Sequence, residues 1–157
     1  MKLLDLQGNC TPEDSRTHIR IPFVLPQATE ELRIRFEYAP KTLDDREYSI
    51  RLLEESFDQY LLPAQRQQAN TQVDQYLPLK NLITLSIDDE QSYRGACHRH
   101  DEIQDLTLSA SQASPGLMAG PLRAGSWSVT LSLHCIVTES CNYRLQIWTV
   151  EAEEESL

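Results

Sequence analysis

The first evidence for the fold of this protein is one stretch near the C-terminal end of its sequence, Trp127-Ser128-Val129-Thr130-Leu131-Ser132-Leu133-His134-Cys135-Ile136-Val137. Its odd-numbered positions hold tryptophan, valine, leucine or cysteine, whereas its even-numbered positions as far as His134 are polar. Successive side chains of a β-strand point to opposite faces of the sheet, so this alternation predicts a long strand with one buried face. Residues 143–150 repeat the pattern, with Tyr143, Leu145 and Ile147 on the buried face.

We expect these two strands to pair as a hairpin, whose register depends on the length of its turn. A three-residue turn at residues 138–140 sets Val137 opposite Cys141, and the two buried faces then coincide. A five-residue turn sets Cys135 directly opposite Cys141, where a strained disulfide can form. We favour the shorter turn, and whether Cys135 and Cys141 are bridged stays open.

Other segments of the chain carry further signals of strand and helix. Period-two alternation predicts strands at residues 19–25, 32–38, 79–87 and 103–110. Pro22 cannot donate to a strand ladder, so its strand lies at a sheet edge or bears a bulge. Apolar residues recur every three or four positions between 43 and 62, which predicts an amphipathic helix that Pro63 ends, followed by a loop or frayed helix at 65–75.

These elements predict a mainly β protein. Mostly antiparallel strands without a βαβ repeat favour an antiparallel β-sandwich, of jelly-roll or immunoglobulin-like type, with one inserted amphipathic helix around residues 43–62. The chain of 157 residues suits one sandwich domain over residues 1–150, and we expect the acidic tail at 151–157 to be mobile.

The net charge, the first residues and the cysteines limit which partners and which compartment we expect. The formal net charge of -10 disfavours nucleic acid and membrane surfaces as partners, because both attract clustered lysine and arginine. The first residues lack the apolar run of a signal peptide, and four cysteines in such a chain suit reduced thiols. We therefore expect a cytoplasmic protein.

Three motifs in the second half of the chain, preceded by an Asn81-Leu82 strand, resemble a known domain. They are Tyr93-Arg94-Gly95-Ala96, Ser114-Pro115-Gly116-Leu117-Met118-Ala119-Gly120-Pro121-Leu122 and Gly125-Ser126-Trp127-Ser128-Val129. In this order they resemble the β-sandwich domain that precedes the catalytic domain of bacterial CehA/McbA-type PHP metallohydrolases. The sequence leaves no room for that catalytic domain, so the resemblance implies the architecture without hydrolysis. We expect a non-catalytic binding or assembly module, with a protein partner or a second copy of itself.

A positive patch is the first candidate ligand site. Arg94, His98, Arg99 and His100 form the densest group of basic side chains in an otherwise acidic chain, which favours binding of an anion. The alternative is that the two arginines pair with nearby acids such as Asp89.

A small metal site is a second hypothesis. Cys97, His98 and His100 carry ligand types that zinc or copper accept, but a structural site needs further ligands that the sequence does not bring together. We therefore predict neither a metal nor another cofactor. Nucleophile elbows, phosphate loops and His-Glu-x-x-His motifs are also absent from the sequence, so no catalytic residue is predicted.

A carbohydrate-binding surface is a third hypothesis. In the shorter hairpin register, the outward side chains of His134, Arg144, Gln146 and Trp148 form one patch with an aromatic platform. The alternative is that the predicted helix covers this face and buries Trp148.

Overall fold

The computed structural model of the chain describes residues 1–151, apart from the side chain of Thr71. Within this range two α-helices are inserted among ten strands. The strands are β1 (Lys2–Cys10), β2 (Thr17–Leu25), β3 (Glu31–Ala39), β4 (Thr42–Leu43), β5 (Leu79–Lys80), β6 (Leu82–Asp88), β7 (Tyr93–Cys97), β8 (Ile103–Ser109), β9 (Gly125–Cys135) and β10 (Cys141–Val150). The helices are α1 (Arg46–Tyr60) and α2 (Pro63–Thr71). The predicted tail at 151–157 lies outside the described residues except for Glu151.

Eight of the strands form two four-stranded antiparallel sheets. Sheet A has the order β1-β10-β3-β8, and sheet B has the order β2-β9-β6-β7. The outermost strands in sequence pair with each other, β1 with β10, and the pairing continues inward through β2 with β9, β3 with β8, and β6 with β7. This nested pairing is that of a jelly roll. The predicted sandwich is therefore confirmed, and its topology is jelly-roll rather than immunoglobulin-like.

The core lies between the inner faces of the two sheets. Its largest fully buried side chains are Phe36, Leu25, Leu32, Ile34, Ile83, Leu85, Ile87, Leu106, Leu108, Leu131, Leu133 and Leu145. They come from alternate positions of their strands, as the period-two pattern predicts. Burial of each such side chain contributes about 1.5–3 kcal/mol to the stability of the folded state. The apolar residues at alternate positions therefore hold the two sheets together.

Pro22 lies in β2, which is an edge strand of sheet B. Along the described β2–β9 pairing, from Thr17 opposite Leu133 to Leu25 opposite Gly125, the register shows no shift. Pro22 therefore lies at a sheet edge without a bulge, which is the first of the two placements predicted from the sequence.

The predicted hairpin of β9 and β10 is wrong. β9 lies between β2 and β6 in sheet B, whereas β10 lies between β1 and β3 in sheet A. The chain crosses from one sheet to the other between them, and buried Ile136 lies in that crossing. Matching of buried faces is satisfied equally by two strands that face each other across a sandwich, so the face argument does not identify neighbours within a sheet.

The buried face of β9 is also shorter than predicted. A register shift between Leu82 and Ile83 in the neighbouring strand β6 ends the regular pairing near Cys135. Cys135 is exposed, and Ile136 takes the buried position instead. Cys135 and Cys141 are both free thiols and belong to strands of different sheets.

Two helices replace the single predicted one. The Asp45 carboxylate accepts a hydrogen bond of 3.0 Å from the backbone of Tyr48 and caps α1, which ends before Pro63. Pro63 then begins α2, because the first turn of a helix tolerates a residue without an N–H. Part of the segment expected to be a loop or frayed helix is therefore α2, and a 3₁₀ turn at Val73–Tyr76 follows it.

The helices lie between β4 and β5 and form an apolar cluster of their own. Its buried members are Leu53, Phe57 and Ala69. Neither helix within residues 1–151 has the length and apolar character needed to cross a bilayer.

Candidate functional site

Arg94 is built into the fold. Its side chain is 7% exposed and forms an ion pair of 3.2 Å with Asp89. Its guanidinium also donates four hydrogen bonds to the loop that precedes β9, at distances of 2.9–3.3 Å to the carbonyl oxygens of Met118, Gly120 and Pro121. With the bond to Asp89 this makes five hydrogen bonds, as many as the guanidinium has N–H groups.

Two glycines allow the same loop to approach β7. Gly95 has a φ of +110°, and a Cβ atom there would lie 2.3 Å from the carbonyl oxygen of Gly116. Gly116 has a φ of +96°, and a Cβ atom there would lie 2.2 Å from the carbonyl oxygen of Ala96. The Ala96 amide donates to Gly116 across this contact, at 3.1 Å. The Arg94 guanidinium carbon also lies 5.3 Å from the centre of the Trp127 ring, so residues 93–96, the 114–122 loop and Trp127 form one packed unit.

The predicted positive patch is divided. His98, Arg99 and His100 follow the last residue of β7, where the two histidines are exposed and Arg99 is half-buried. His98 lies just beyond the end of β7 and four residues from Arg94 in sequence. Arg94 points into the packed unit described above, so the structure brings together the three residues 98–100 and leaves Arg94 apart from them.

The Cys97 thiol faces the protein interior. It is fully buried and lies 3.7 Å from the carbonyl oxygen of Pro115, and burial raises the pKa of this thiol. The neighbouring His98 is exposed instead. Within residues 1–151 no group of three or more histidine, cysteine, aspartate or glutamate side chains is placed to hold a metal ion.

The four residues of the predicted carbohydrate surface lie on two sheets. His134 belongs to β9 in sheet B, where its Nε2 atom lies 2.7 Å from the Thr84 hydroxyl. Arg144, Gln146 and Trp148 occupy alternate positions of β10 and share the outer face of sheet A. The expectation of one four-residue patch is therefore wrong for His134, because it depended on the β9–β10 hairpin.

Trp148 is half-buried between the neighbouring strands of sheet A. Its register partners are Lys2 on one side and Arg33 on the other. The apolar cluster formed by the helices, with buried Leu53 and Phe57, does not include Trp148.

A groove of about 760 Å³ crosses the outer face of sheet A and touches all four of its strands. We call it the sheet A groove and define it by its outward-facing residues: Gln7, Asn9, Glu37, Ala39, Glu102, Ile103, Asn142 and Arg144. Strand register arranges most of these residues in two rows. One row is Asn9, Asn142 and Ala39. The next row is Gln7, Arg144, Glu37 and Ile103.

Hydrogen-bonding groups and one apolar side chain line the groove. The Asn9 amide donates to the Asn142 side-chain oxygen at 2.7 Å, which leaves the Asn142 amino group to donate elsewhere. Among the described residues, the side chains of Gln7 and Glu102 have no hydrogen-bond partner within the protein. Ile103 is 52% exposed. The groove thus offers donors, acceptors and an apolar contact to a bound molecule.

Ion pairs fix the side chains beside the groove. Arg144 donates two hydrogen bonds to Asp5, at 3.0 and 2.9 Å, and this contact holds the pKa of the Asp5 carboxyl well below its usual range. The side-chain amide of Gln146 is oriented with its oxygen toward two donors. This oxygen accepts from Lys2 Nζ at 3.2 Å and from Arg144 Nη2 at 3.3 Å. The guanidinium of Arg144 is therefore oriented before any ligand arrives.

Sequence reasoning missed Gln7, Asn9, Asn142 and Ile103. The signal for the first two was present, because residues 4–10 alternate apolar or small residues with Asp5, Gln7 and Asn9. Their proximity to Asn142 and Ile103 depends on strand order, and no local pattern contains that information.

Comparison with protein-family models, with curated proteins and with solved structures finds no match to this chain.

Proposed function

We propose that this protein is a non-catalytic binding module that holds a neutral oligosaccharide in the sheet A groove. The observation that carries the proposal is the groove itself, which spans four strands and has the volume of a small-molecule site, commonly about 300–1,000 Å³.

The chemistry of the groove favours a polyhydroxylated ligand. A sugar hydroxyl both donates and accepts, and the groove supplies amides at Gln7, Asn9 and Asn142 together with carboxylates at Glu37 and Glu102. The apolar face of a sugar ring suits the exposed side chain of Ile103. A polyanion is disfavoured, because the charge of Arg144 is already paired with Asp5.

Trp148 extends the same surface. It lies on the outer face of sheet A, four residues along β10 from Arg144 and thus about 13 Å away. An oligosaccharide that leaves the groove along β10 passes Gln146 and reaches the Trp148 indole, where a sugar ring can stack.

Amide-detected NMR titration is the test of this proposal. The probes are short linear oligomers of glucose, mannose and N-acetylglucosamine, added to the full chain labelled with ¹⁵N. We expect at least one of them to shift the side-chain amide signals of Gln7, Asn9 and Asn142, and Asn142→Ala to weaken its binding about tenfold. The matched control is Asn70→Ala, which removes an exposed amide on α2. Groove signals that stay unchanged with every sugar, or shifts confined to sheet B, would contradict the proposal.

The non-catalytic part of the proposal has its own assay. The protein is expected to leave a chromogenic phosphodiester intact, with and without added zinc or manganese. Metal-dependent turnover that follows the protein through purification would contradict it.

Assembly with a separate PHP-type catalytic domain is the second candidate function. It is supported by the packed unit of Arg94, the 114–122 loop and Trp127, because the residues that carry the resemblance depend on one another physically. Sedimentation velocity of the protein mixed with a PHP catalytic domain that lacks its own sandwich is the test. A faster-sedimenting complex is expected, whereas two independent species would exclude this candidate.

A further inference from the structure

Cys10 and Cys141 face each other across two paired strands. They are direct register partners at the end of the β1–β10 pairing, which runs without a shift from Leu4 to Cys10. Both thiols are free and on the inner side of sheet A, with Cys10 1% and Cys141 0% exposed. The Cys10 thiol donates to the Cys141 carbonyl oxygen at 3.4 Å.

We propose that Cys10 and Cys141 form a redox site, which a small-molecule disulfide oxidises to an intramolecular disulfide between β1 and β10. The inference does not depend on the function proposed for the sheet A groove.

The geometry of the strand pair supports the bond. Directly opposed residues of an antiparallel pair have Cα atoms about 4.5–5.5 Å apart. Disulfides join residues whose Cα atoms are about 4.4–6.8 Å apart, so the pairing already provides the required separation. Cys10 is also the last residue of an edge strand, so a small adjustment there disturbs one neighbouring strand instead of two.

The reaction proceeds by two exchanges. The thiolate of one cysteine attacks a sulfur of the small disulfide, which forms a mixed disulfide and releases one small thiolate. The second cysteine loses its proton and its thiolate attacks the sulfur atom of the first cysteine in the mixed disulfide. This attack forms the Cys10–Cys141 bond and releases the second small thiolate. The released thiolates take up the two protons through solvent, so the cysteines are oxidised and the small disulfide is reduced.

Burial determines when the bond forms. Burial, and after it the neighbouring Cys141 thiol, raises the pKa of Cys10 to about 12. Burial likewise raises the pKa of Cys141. Only thiolates attack disulfides, and both thiols are buried, so exchange in the folded protein is slow and the bond is expected to form faster during refolding.

The bond would also affect the outer face of sheet A. The next register pair is Asn9 and Asn142, both of which line the sheet A groove. Oxidation therefore fixes the spacing of β1 and β10 at one end of that groove.

Oxidative refolding of the full chain tests the proposal. The protein is unfolded in urea with a reductant and refolded in a mixture of reduced and oxidised glutathione, and peptide mapping then locates each disulfide. We expect a product lighter by two hydrogen atoms, with Cys10 linked to Cys141 and with Cys97 and Cys135 free of intramolecular bonds. Because Cys10 and Cys141 are 131 positions apart in sequence, the bond closes a long loop and is expected to raise Tm by roughly 5–10 °C relative to the same protein after reduction.

The Tm of the oxidised protein is compared with that of the reduced wild type, so this measurement does not depend on the folding of a variant. The variant Cys97→Ser/Cys135→Ser provides a second measurement, because only the proposed pair remains in it. Refolded protein with native circular dichroism that lacks the Cys10–Cys141 link, or that contains other pairings in equal amount, would overturn the proposal.

Discussion

The guanidinium carbon of Arg94 lies 5.3 Å from the centre of the Trp127 indole ring. The indole N–H in turn donates to the carbonyl oxygen of Arg123 at 2.9 Å, so the tryptophan is held at its edge and on one face. Arg94 therefore contacts three separate parts of the chain. They are the turn at Asp89, the carbonyl groups of the 114–122 loop, and Trp127 near the start of β9. This explains why an arginine occupies a position that is 6% exposed.

Arg94→Lys is expected to lower the free energy of unfolding by about 2–3 kcal/mol, although it keeps the charge. Lysine has three donors on one nitrogen, so it cannot replace all five bonds that Arg94 makes to Asp89 and to the loop carbonyls, and it stacks less well on Trp127. Urea unfolding followed by far-UV circular dichroism measures the change. The exposed Arg123→Lys is the control and should stay within about 0.5 kcal/mol of the wild type. Equal effects of the two variants would show that Arg94 is not a structural arginine.

Gly116→Ala is expected to be far more damaging than Gly120→Ala. The added Cβ at Gly116 meets the Ala96 carbonyl oxygen at 2.2 Å, and the residue has a φ of +96°, so both contact and backbone oppose it. At Gly120 the nearest atom is Arg94 Nη2 at 3.2 Å, which needs a shift of only a few tenths of an ångström, and Gly120 does not have a left-handed φ. We expect a loss above about 3 kcal/mol for the first variant and about 1 kcal/mol for the second.

Thermal unfolding by circular dichroism separates the two glycine variants. If Gly116→Ala melts within a few degrees of Gly120→Ala, the loop does not approach β7 closely enough at Gly116 to exclude a Cβ atom.

Local sequence pattern was sufficient for β2, β3, β6, β8, β9 and β10 and for most of their buried faces, whereas β1 and β7 were not predicted. The buried faces of β3, β8 and β10 and the edge position of Pro22 follow from alternation and from the chemistry of a single residue. Strand neighbours were not predictable in the same way. Two strands that face each other across the core satisfy the same matching of apolar faces as two strands in one sheet, which is why the β9–β10 hairpin was mistaken.

The candidate site shows the same division between local and nonlocal information. Arg144, Gln146 and Trp148 share a face because they alternate along one strand, and this was predictable. The position of His134 could not be predicted without knowing which sheet contains β9. The role of Asn142 depends on its contact with Asn9, which is 133 positions away in sequence. The role of Arg94 was also nonlocal, because its carbonyl partners lie 24 to 27 positions further along the chain.

Asn81→Asp is expected to destabilise the protein by about 2–3 kcal/mol at neutral pH. Asn81 is fully buried, and its side-chain oxygen accepts from the Val137 amide at 2.7 Å while its amino group donates to Pro40 and to Thr138 at 2.9 and 2.8 Å. A carboxylate keeps the first contact and loses both donated bonds, with a buried charge in addition. Urea unfolding at pH 7 measures the loss.

The exposed Asn70→Asp adds the same charge on α2 and is the control for Asn81→Asp. It is expected to change the free energy of unfolding by less than about 0.5 kcal/mol. A loss as small as this in Asn81→Asp would mean that the buried amide does not join the start of β6 to the β9–β10 crossing.

Asp89→Asn is expected to destabilise the protein by about 2 kcal/mol at pH 7 and by less at pH 3, which is below the unfolded pKa. Partial burial opposes ionisation of Asp89, but hydrogen bonds from the Gln91 and Ser92 amides and from Arg94 outweigh it and lower the pKa of the carboxyl. A carboxyl whose pKa is lower in the folded state stabilises that state at every pH above its unfolded value of about 3.9, and the contribution disappears as the pH falls through the folded pKa.

Urea unfolding at the two pH values measures both variant and wild type. Asp105→Asn makes the same change in net charge at a side chain that is 66% exposed, and it should show a small difference at both pH values. A difference between Asp89→Asn and the wild type that is as large at pH 3 as at pH 7 would contradict the ionised pair of Asp89 and Arg94.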